Sequence, residues 1–317
     1  MLIVQSEQQS IALFGVGLIG SAIAEALQRR TGAPATGLRL RWASQDDFAD
    51  DLQSVMQALE WRTAAGARPA VVWSAGAGGF GAAESETRAE LQRFEQLVGA
   101  LERLAAVRDV KPDFHLVSSG GGLFEGRRAV TTATQPASAR PYSALKLAQE
   151  AAITSRRHFR RIRIYRPSSV YGRIRPGHRL GLVSTLIRNG IARQVTHLVG
   201  RTHTLRDFVH ADDIGGFVAR EVLSATAPDQ RPPCMLAAGK PSSVQEVQRA
   251  IESVLGYRTF ISFDLRSNND ADTTFAPNSL PTRWQPRPLL EGVRGVVEDY
   301  KSFQPDSWRR RQSDLDG

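Results

Sequence analysis

The sequence predicts an α/β protein: a doubly wound parallel sheet followed by a smaller C-terminal lobe. Three observations carry this. Short apolar runs alternate with longer amphipathic stretches through the first half, as βαβ units do. A Gly-x-Gly-x-x-Gly turn, Gly15 to Gly20, follows the first apolar run and opens a helix. Beyond about residue 170 the alternation gives way to loops rich in Gly, His and Arg.

The elements follow in order. Ile11 to Phe14 reads as a first strand and Ser21 to Arg30 as the helix after it. Leu38 to Trp42 reads as a second strand and Ala70 to Trp73 as a third. Glu84 to Val107 carries apolar residues at helical spacing, among them Leu91, Phe94, Leu97, Leu101 and Leu104. Phe114 to Val117 is a buried strand ending in Ser118-Ser119. Tyr142 to Ser155 is helical, and Arg161 to Tyr165 is a strand running into Arg166-Pro167. Later come an amphipathic piece at Leu182 to Arg193 and a strand-then-helix at Asp207 to Leu223. Ser242 to Leu255 is a helix that Ser242 or Ser243 caps and Gly256 ends. Ser267 to Gln285 is polar and looped, and Leu289 to Tyr300 is a terminal helix. The doubly wound domain thus spans residues 1–170 with a return at 207–223, and residues 171–317 mainly form the lobe.

Composition narrows the class. The chain has 317 residues, 41% hydrophobic and 23% charged, as ordinary globular proteins do. No apolar run is long enough for a membrane span, and Met1 to Ser10 has no signal-peptide pattern. A single cysteine, Cys234, points to a reducing compartment, the cytoplasm. The net charge is +9, but lysine occurs only at positions 111, 146, 240 and 301, and the arginines are scattered. No basic run interleaved with aromatics suggests a nucleic-acid groove. The charge reads as a general arginine bias, with some arginines left to hold an anionic substrate. The six histidines show no metal-ligand spacing, and no metal is expected.

The chemistry resides in a few places. In the glycine turn, Gly15 permits the tight bend, Gly17 lets backbone approach a pyrophosphate, and Gly20 lets helix and strand pack closely. With Leu18 and Ile19 they place free N–H groups of a helix N-terminus on the phosphates. Ser74, Ala75 and Gly76, after the third strand, are assigned to the cofactor with them. At the end of the second strand Arg41 and Ser44 stand where an acid would select NAD, so the cofactor is NAD or NADP with a lean to NADP. Tyr142 and Lys146 lie one helical turn apart on one face. A lysine ammonium beside a phenol favours the phenolate, which suits the tyrosine to acid–base work. The lysine can also hold a cofactor ribose. Ser118 or Ser119 can donate a hydrogen bond to a substrate oxygen that gains charge.

With these pieces in order, the chain resembles the extended short-chain dehydrogenases/reductases, the NAD-dependent epimerase/dehydratase family. The resemblance rests on Gly15 to Gly20, Val117-Ser118-Ser119, and Pro141-Tyr142-Ser143-Ala144-Leu145-Lys146. It continues in Tyr165-Arg166-Pro167-Ser168-Ser169-Val170-Tyr171-Gly172 and in Leu205-Arg206-Asp207-Phe208-Val209-His210-Ala211-Asp212-Asp213. It implies a Rossmann-type domain, NAD(P), a nucleotide-sugar substrate and a homodimer. It implies Tyr142 as base, Lys146 as its partner and Ser119 or Ser118 as the hydroxyl donor. It places Pro167 at the cofactor, and Arg206, Arg266 and Ser169 at the substrate, the arginines on its diphosphate. Epimerisation of the sugar by transient hydride removal is the leading expectation. Reduction of a keto-sugar nucleotide by NADPH, or a cofactor-binding protein without catalysis, are the alternatives. The chain also departs from the pattern. Glycines 120 to 122 stand where dehydratases of the family carry an Asp-Glu pair, which argues against loss of water. Ser169 replaces a common Asn.

Overall fold

The structure, a computed structural model, describes residues 1–6, 9–42, 44–64, 68–76, 78–79, 81–177, 179–224, 232–264 and 271–303. The first half contains β1 (Leu2–Ser6), β2 (Gln9–Phe14), α1 (Leu18–Thr31), β3 (Ala35–Gly37), α2 (Gln45–Ala64), β4 (Arg68–Trp73), α3 (Glu84–Arg108), β5 (Asp113–Val117), α4 (Gly120–Leu123), α5 (Pro141–Thr154) and β6 (Arg161–Pro167). The remainder contains β7 (Ser169–Tyr171), α6 (Leu182–Ile191), β8 (Thr196–Val199), β9 (Leu205–Arg206), β10 (Phe208–His210), α7 (Ala211–Leu223), β11 (Cys234–Leu236), β12 (Ser242–Ser243), α8 (Val244–Leu255), β13 (Ile261–Asp264), a 3₁₀ turn (Pro277–Ser279) and α9 (Leu289–Phe303).

Seven strands form the central sheet in the order β11-β6-β5-β4-β2-β1-β3. The strands β11, β6, β5, β4 and β2 are mutually parallel, and helices cover both faces, as a parallel sheet requires. One face buries Phe14, Phe48, Trp73, Phe94, Leu97 and Phe114 under α2 and α3. The other buries Ile11, Leu13, Ile23, Leu27, Phe217 and Val218 under α1 and α7. There α1 and α7 come so close that a Cβ on Gly215 would stand 2.5 Å from the Ala22 carbonyl. This doubly wound α/β sheet is the architecture expected from the alternating pattern, and it is of the Rossmann type that the resemblance implies.

The edge of the sheet corrects the strand reading. Leu38 to Trp42 is not a strand. The second crossover strand is Ala35–Gly37, and it does not pair with β2. The antiparallel β1 lies between them, with Leu2 opposite both Leu13 and Gly37. The alternation of Leu38, Leu40 and Trp42 has another cause: Leu40 is buried, and the Trp42 ring turns back onto Trp73 and Phe48, with centroids 5.8 Å and 5.1 Å away. Apolar alternation reports burial at every second residue, and a loop laid across the sheet end meets that pattern as well as a strand does.

A third apolar cluster lies in the C-terminal half, built from Val183, Leu186 and Ile187 of α6, Val247 and Ile251 of α8, and Val293 and Val297 of α9. The caps of α8 are as the sequence suggests. Ser243 Oγ accepts from the Glu246 N–H at 3.2 Å, the Glu246 carboxylate accepts from the Ser243 N–H at 2.7 Å, and Gly256 (φ +81°) ends the helix. Such a cap stabilises a helix by about 1 kcal/mol. Residues 234–236 return to the main sheet as β11 beside β6. Among the described residues, no helix is long and apolar enough to cross a membrane.

Candidate active site

The glycine turn sits where β2 meets α1. Gly15 has φ +89°, a left-handed conformation, and a Cβ there would lie 2.3 Å from the Ala75 nitrogen. A Cβ on Gly20 would lie 1.8 Å from the Gly15 oxygen. These two glycines therefore close the turn upon itself. Gly17 differs: a Cβ there would meet nothing within 4 Å. It is the N-cap of α1 and makes no side-chain cap bond, and no acid stands in the first turn. The N–H groups around Leu18 and Ile19 thus present uncapped positive dipole ends beside open space. A dinucleotide pyrophosphate fits this cradle.

The turn after β4 locks onto the same place. Ser74 Oγ donates to the Gly15 oxygen at 2.7 Å and to the Phe14 oxygen at 3.2 Å. Ala75 supplies the backbone against Gly15, and Gly76 faces the carboxylate of Glu90 on α3. Gly78 lies against the Tyr142 ring, with a Cβ position 3.7 Å from Cδ2. Arg179 lays its guanidinium over Gly79, filling the space a Cβ would take.

Pro141 at the first helical position starts α5, and Ser143 exchanges hydrogen bonds with the Arg140 backbone. One turn apart, Tyr142 is half-buried and Lys146 buried, with Lys146 Nζ 5.7 Å from the Tyr142 ring centroid. The two serines divide. Ser118 Oγ donates to Glu150 Oε1 at 2.6 Å, inside a buried ion pair of Glu150 with Arg166. Ser119 caps α4, accepting from the Gly122 N–H at 3.0 Å. The Cβ position of Gly122 lies 3.1 Å from Ser119 Oγ and 3.0 Å from Tyr142 Cε1, so hydroxyl and ring flank one point. A side chain at 122 would press on both, so glycine lets the hydroxyl and the ring come this close.

The structure thus brings together Gly15 to Gly20, Ser74 to Gly76, Tyr142, Lys146 and Ser119. Pro167 ends β6 beside them, its carbonyl 3.0 Å from the Cβ position of Gly120. Ser169, on β7, donates its N–H to the Asp207 carbonyl. Arg206, on β9, donates to the Ala271 carbonyl and, at 3.3 Å, to the Leu205 carbonyl. Burial pushes its pKa down, and the nearby carboxylates of Glu125 and Asp272 oppose that. Arg266 lies outside the described residues, as does His178. Arg41 does not stand free: Asp51 grips its Nε and Nη2, the latter at 2.8 Å, and Asp47 grips Nη1. Ser44 caps α2 by accepting from the Asp47 N–H. The lean towards NADP that rested on Arg41 therefore loses its support, because two carboxylates already occupy the guanidinium. Among the described residues no cluster of three or more His, Cys, Asp or Glu could hold a metal.

Glu90, Gln149 and Arg179 escaped the sequence reading. Glu90 had a signal: a carboxylate in line with the buried stripe Phe94, Leu97 and Leu101. Arg179 had none, since the fold alone lays its loop on the glycines after β4.

The family and the fold have known relatives. The model of the NAD dependent epimerase/dehydratase family matches residues 11–226. Solved structures of similar fold include a UDP-glucose 4-epimerase of Thermus thermophilus in complex with NAD, 18% identical, TM-score 0.75, covering 93% of this chain and 99% of that one. They include RMD of Pseudomonas aeruginosa complexed with NADPH, 18% identical, TM-score 0.68, covering 92% and 98%. They also include a GDP-6-OMe-4-keto-L-xylo-heptose reductase of C. jejuni, 14% identical, TM-score 0.67, covering 95% and 100%. No curated protein matches the chain. With more than half of its length inside the family model, the chain belongs to the NAD-dependent epimerase/dehydratase family of enzymes, whose cofactor is NAD or NADP.

Proposed function

We propose that the protein is an NAD(P)-dependent epimerase of a nucleotide sugar, with Tyr142 as its base. The observation that carries this reading is the approach of the Tyr142 ring and the Ser119 hydroxyl to one glycine, Gly122, with the Lys146 ammonium behind the ring. A sugar hydroxyl within reach of both side chains would give its proton to the Tyr142 oxygen, and the Ser119 hydroxyl would donate to the same sugar oxygen. Lys146 supplies the positive charge that an ionised phenol needs. Bound NAD(P) would supply the hydride acceptor and donor for the sugar carbon. Gly17, Leu18 and Ile19 would hold its pyrophosphate through backbone N–H groups. Arg206 would take the substrate diphosphate, since a guanidinium forms charge-assisted bonds to phosphate. Dehydration fits less well. The first acid after the serines, Glu125, is already engaged by Arg140 through two bonds of 2.7 Å.

The same residues serve a reductase of a keto-sugar nucleotide, and solved structures of similar fold include one named as a reductase. Cofactor balance separates the two. Full-length protein is incubated with UDP- and GDP-sugars and catalytic amounts of NAD or NADP, and product sugars are resolved by chromatography. Interconversion of epimers without net cofactor turnover is expected. Stoichiometric NADPH oxidation with a keto-sugar nucleotide, and no epimer from any sugar, would replace this reading with the reductase.

A further inference from the structure

Three buried polar side chains meet behind Tyr142. Lys146 Nζ donates to Glu90 Oε1 at 3.2 Å and to Gln149 Oε1 at 3.0 Å, and Gln149 Nε2 donates to the same Glu90 oxygen at 3.2 Å. Glu90 is 8% exposed, Lys146 4% and Gln149 0%, so this is an interior ion pair and not a surface one. Apolar residues of similar volume would often fill such a space at no loss of stability. The pair is therefore better explained by what it orients than by what it stabilises.

An ammonium has three N–H bonds. Two are committed to Glu90 and Gln149, which fixes the direction of the third. Both carboxylate oxygens of Glu90 lie against the turn after β4, and the second, Oε2, takes neither of these bonds. It lies 3.2 Å from the Cβ position of Gly76 and 3.9 Å from that of Gly78, in the turn that packs on the glycine cradle and on Tyr142. One donor and one acceptor of opposite charge thus stand side by side at the junction of cofactor turn and tyrosine. An ammonium can only donate, and a carboxylate can only accept. A ribose diol needs both, since each hydroxyl accepts and donates.

We propose that Glu90 is a positioning residue of the dinucleotide site. It holds the Lys146 ammonium in one direction, and its second oxygen, Oε2, accepts a hydroxyl of the ribose that Lys146 holds. This rests on the reading that the site takes NAD(P). It assigns a further residue to that site, on a helix outside the family's signature strings.

The test is calorimetric titration of full-length wild type, Glu90→Gln and Glu90→Asp with NADH, NADPH, ADP-ribose and ADP. ADP lacks the second ribose. Glu90→Gln keeps the volume and loses the charge. Glu90→Asp keeps the charge, withdraws the oxygen by one methylene, and preserves an ion pair where the amide variant does not fold. In the folded variants, affinity for the dinucleotides and ADP-ribose is expected to fall about tenfold or more, while ADP changes less than about twofold. Unchanged dinucleotide affinity in a folded variant overturns the proposal, and so does an equal loss for ADP. If wild type binds neither NADH nor NADPH, the dinucleotide reading itself fails.

Discussion

Ser118 Oγ donates to Glu150 Oε1 at 2.6 Å, and this bond separates the duties of two adjacent serines. Glu150 is also gripped by Arg166 at 2.6 Å and 3.0 Å, and all three side chains are buried. Ser119 turns instead towards Gly122 and the Tyr142 ring.

From this division, Ser118→Ala is expected to lower stability by about 1.5–3 kcal/mol, the usual cost of losing a hydrogen bond to a charged group, with little change in kcat. Ser119→Ala is expected to lower kcat by about 10²-fold, as loss of one oxyanion donor does. It should cost only about 1 kcal/mol of stability as a lost cap. Urea unfolding and steady-state kinetics on both variants check this. The reverse pattern would assign the hydroxyl donor to Ser118.

Tyr142→Phe removes the proposed base and leaves the ring that packs on Gly78 and Gly122. Turnover is expected to fall by about 10²–10⁴-fold, with the melting temperature and NADH affinity close to wild type. Retained turnover would remove Tyr142 from the mechanism.

Two glycines of one turn should fail in different ways. A Cβ on Gly17 meets open space, whereas one on Gly20 meets the Gly15 oxygen at 1.8 Å. Gly17→Ala is expected to fold with an unchanged melting temperature and to lose dinucleotide affinity. Gly20→Ala is expected to lose stability as well, by about 1–3 kcal/mol for an overpacked contact. Thermal melts paired with NADH titration separate the outcomes.

Arg41 is engaged by Asp47 and Asp51. Replacing both carboxylates, Asp47→Ala with Asp51→Ala, frees the guanidinium for a 2′-phosphate. The ratio of NADP to NAD affinity is expected to rise several-fold, read by titration. An unchanged ratio would place the adenosine ribose away from Arg41.

His115 is fully buried on β5, its Nδ1 2.8 Å from the Tyr165 hydroxyl. Burial holds its pKa well below the usual 6.5, and the charges of Arg161, Arg163 and Arg160 add to this. The neutral ring is kept in the fold, whereas the unfolded chain protonates it below about pH 6.5. The unfolded state then binds more protons, so this contribution is fully present above pH 6.5 and is lost as pH falls. The slope approaches about 1.4 kcal/mol per pH unit. Urea melts between pH 5 and 7.5 should show this slope in wild type and a flatter one in His115→Phe.

The sequence by itself determined the alternating α/β architecture, the glycine turn, the Tyr142–Lys146 spacing and the caps of α8. Each is a local property: a period of two or 3.6, a residue without a Cβ, two positions one helical turn apart. Tertiary structure alone decided the rest. Leu38 to Trp42 alternates like a strand, but β1 had already taken the place beside β2, a pairing no local pattern encodes. Ser118 and Ser119 are chemically identical and adjacent, and only the positions of Glu150 and Gly122 assign them different partners. Arg41 was visible as a charge, while the folding of α2 set two carboxylates on it. Glu90 reaches Lys146 across 56 residues because α3 and α5 pack side by side, and that approach is a property of the assembled core.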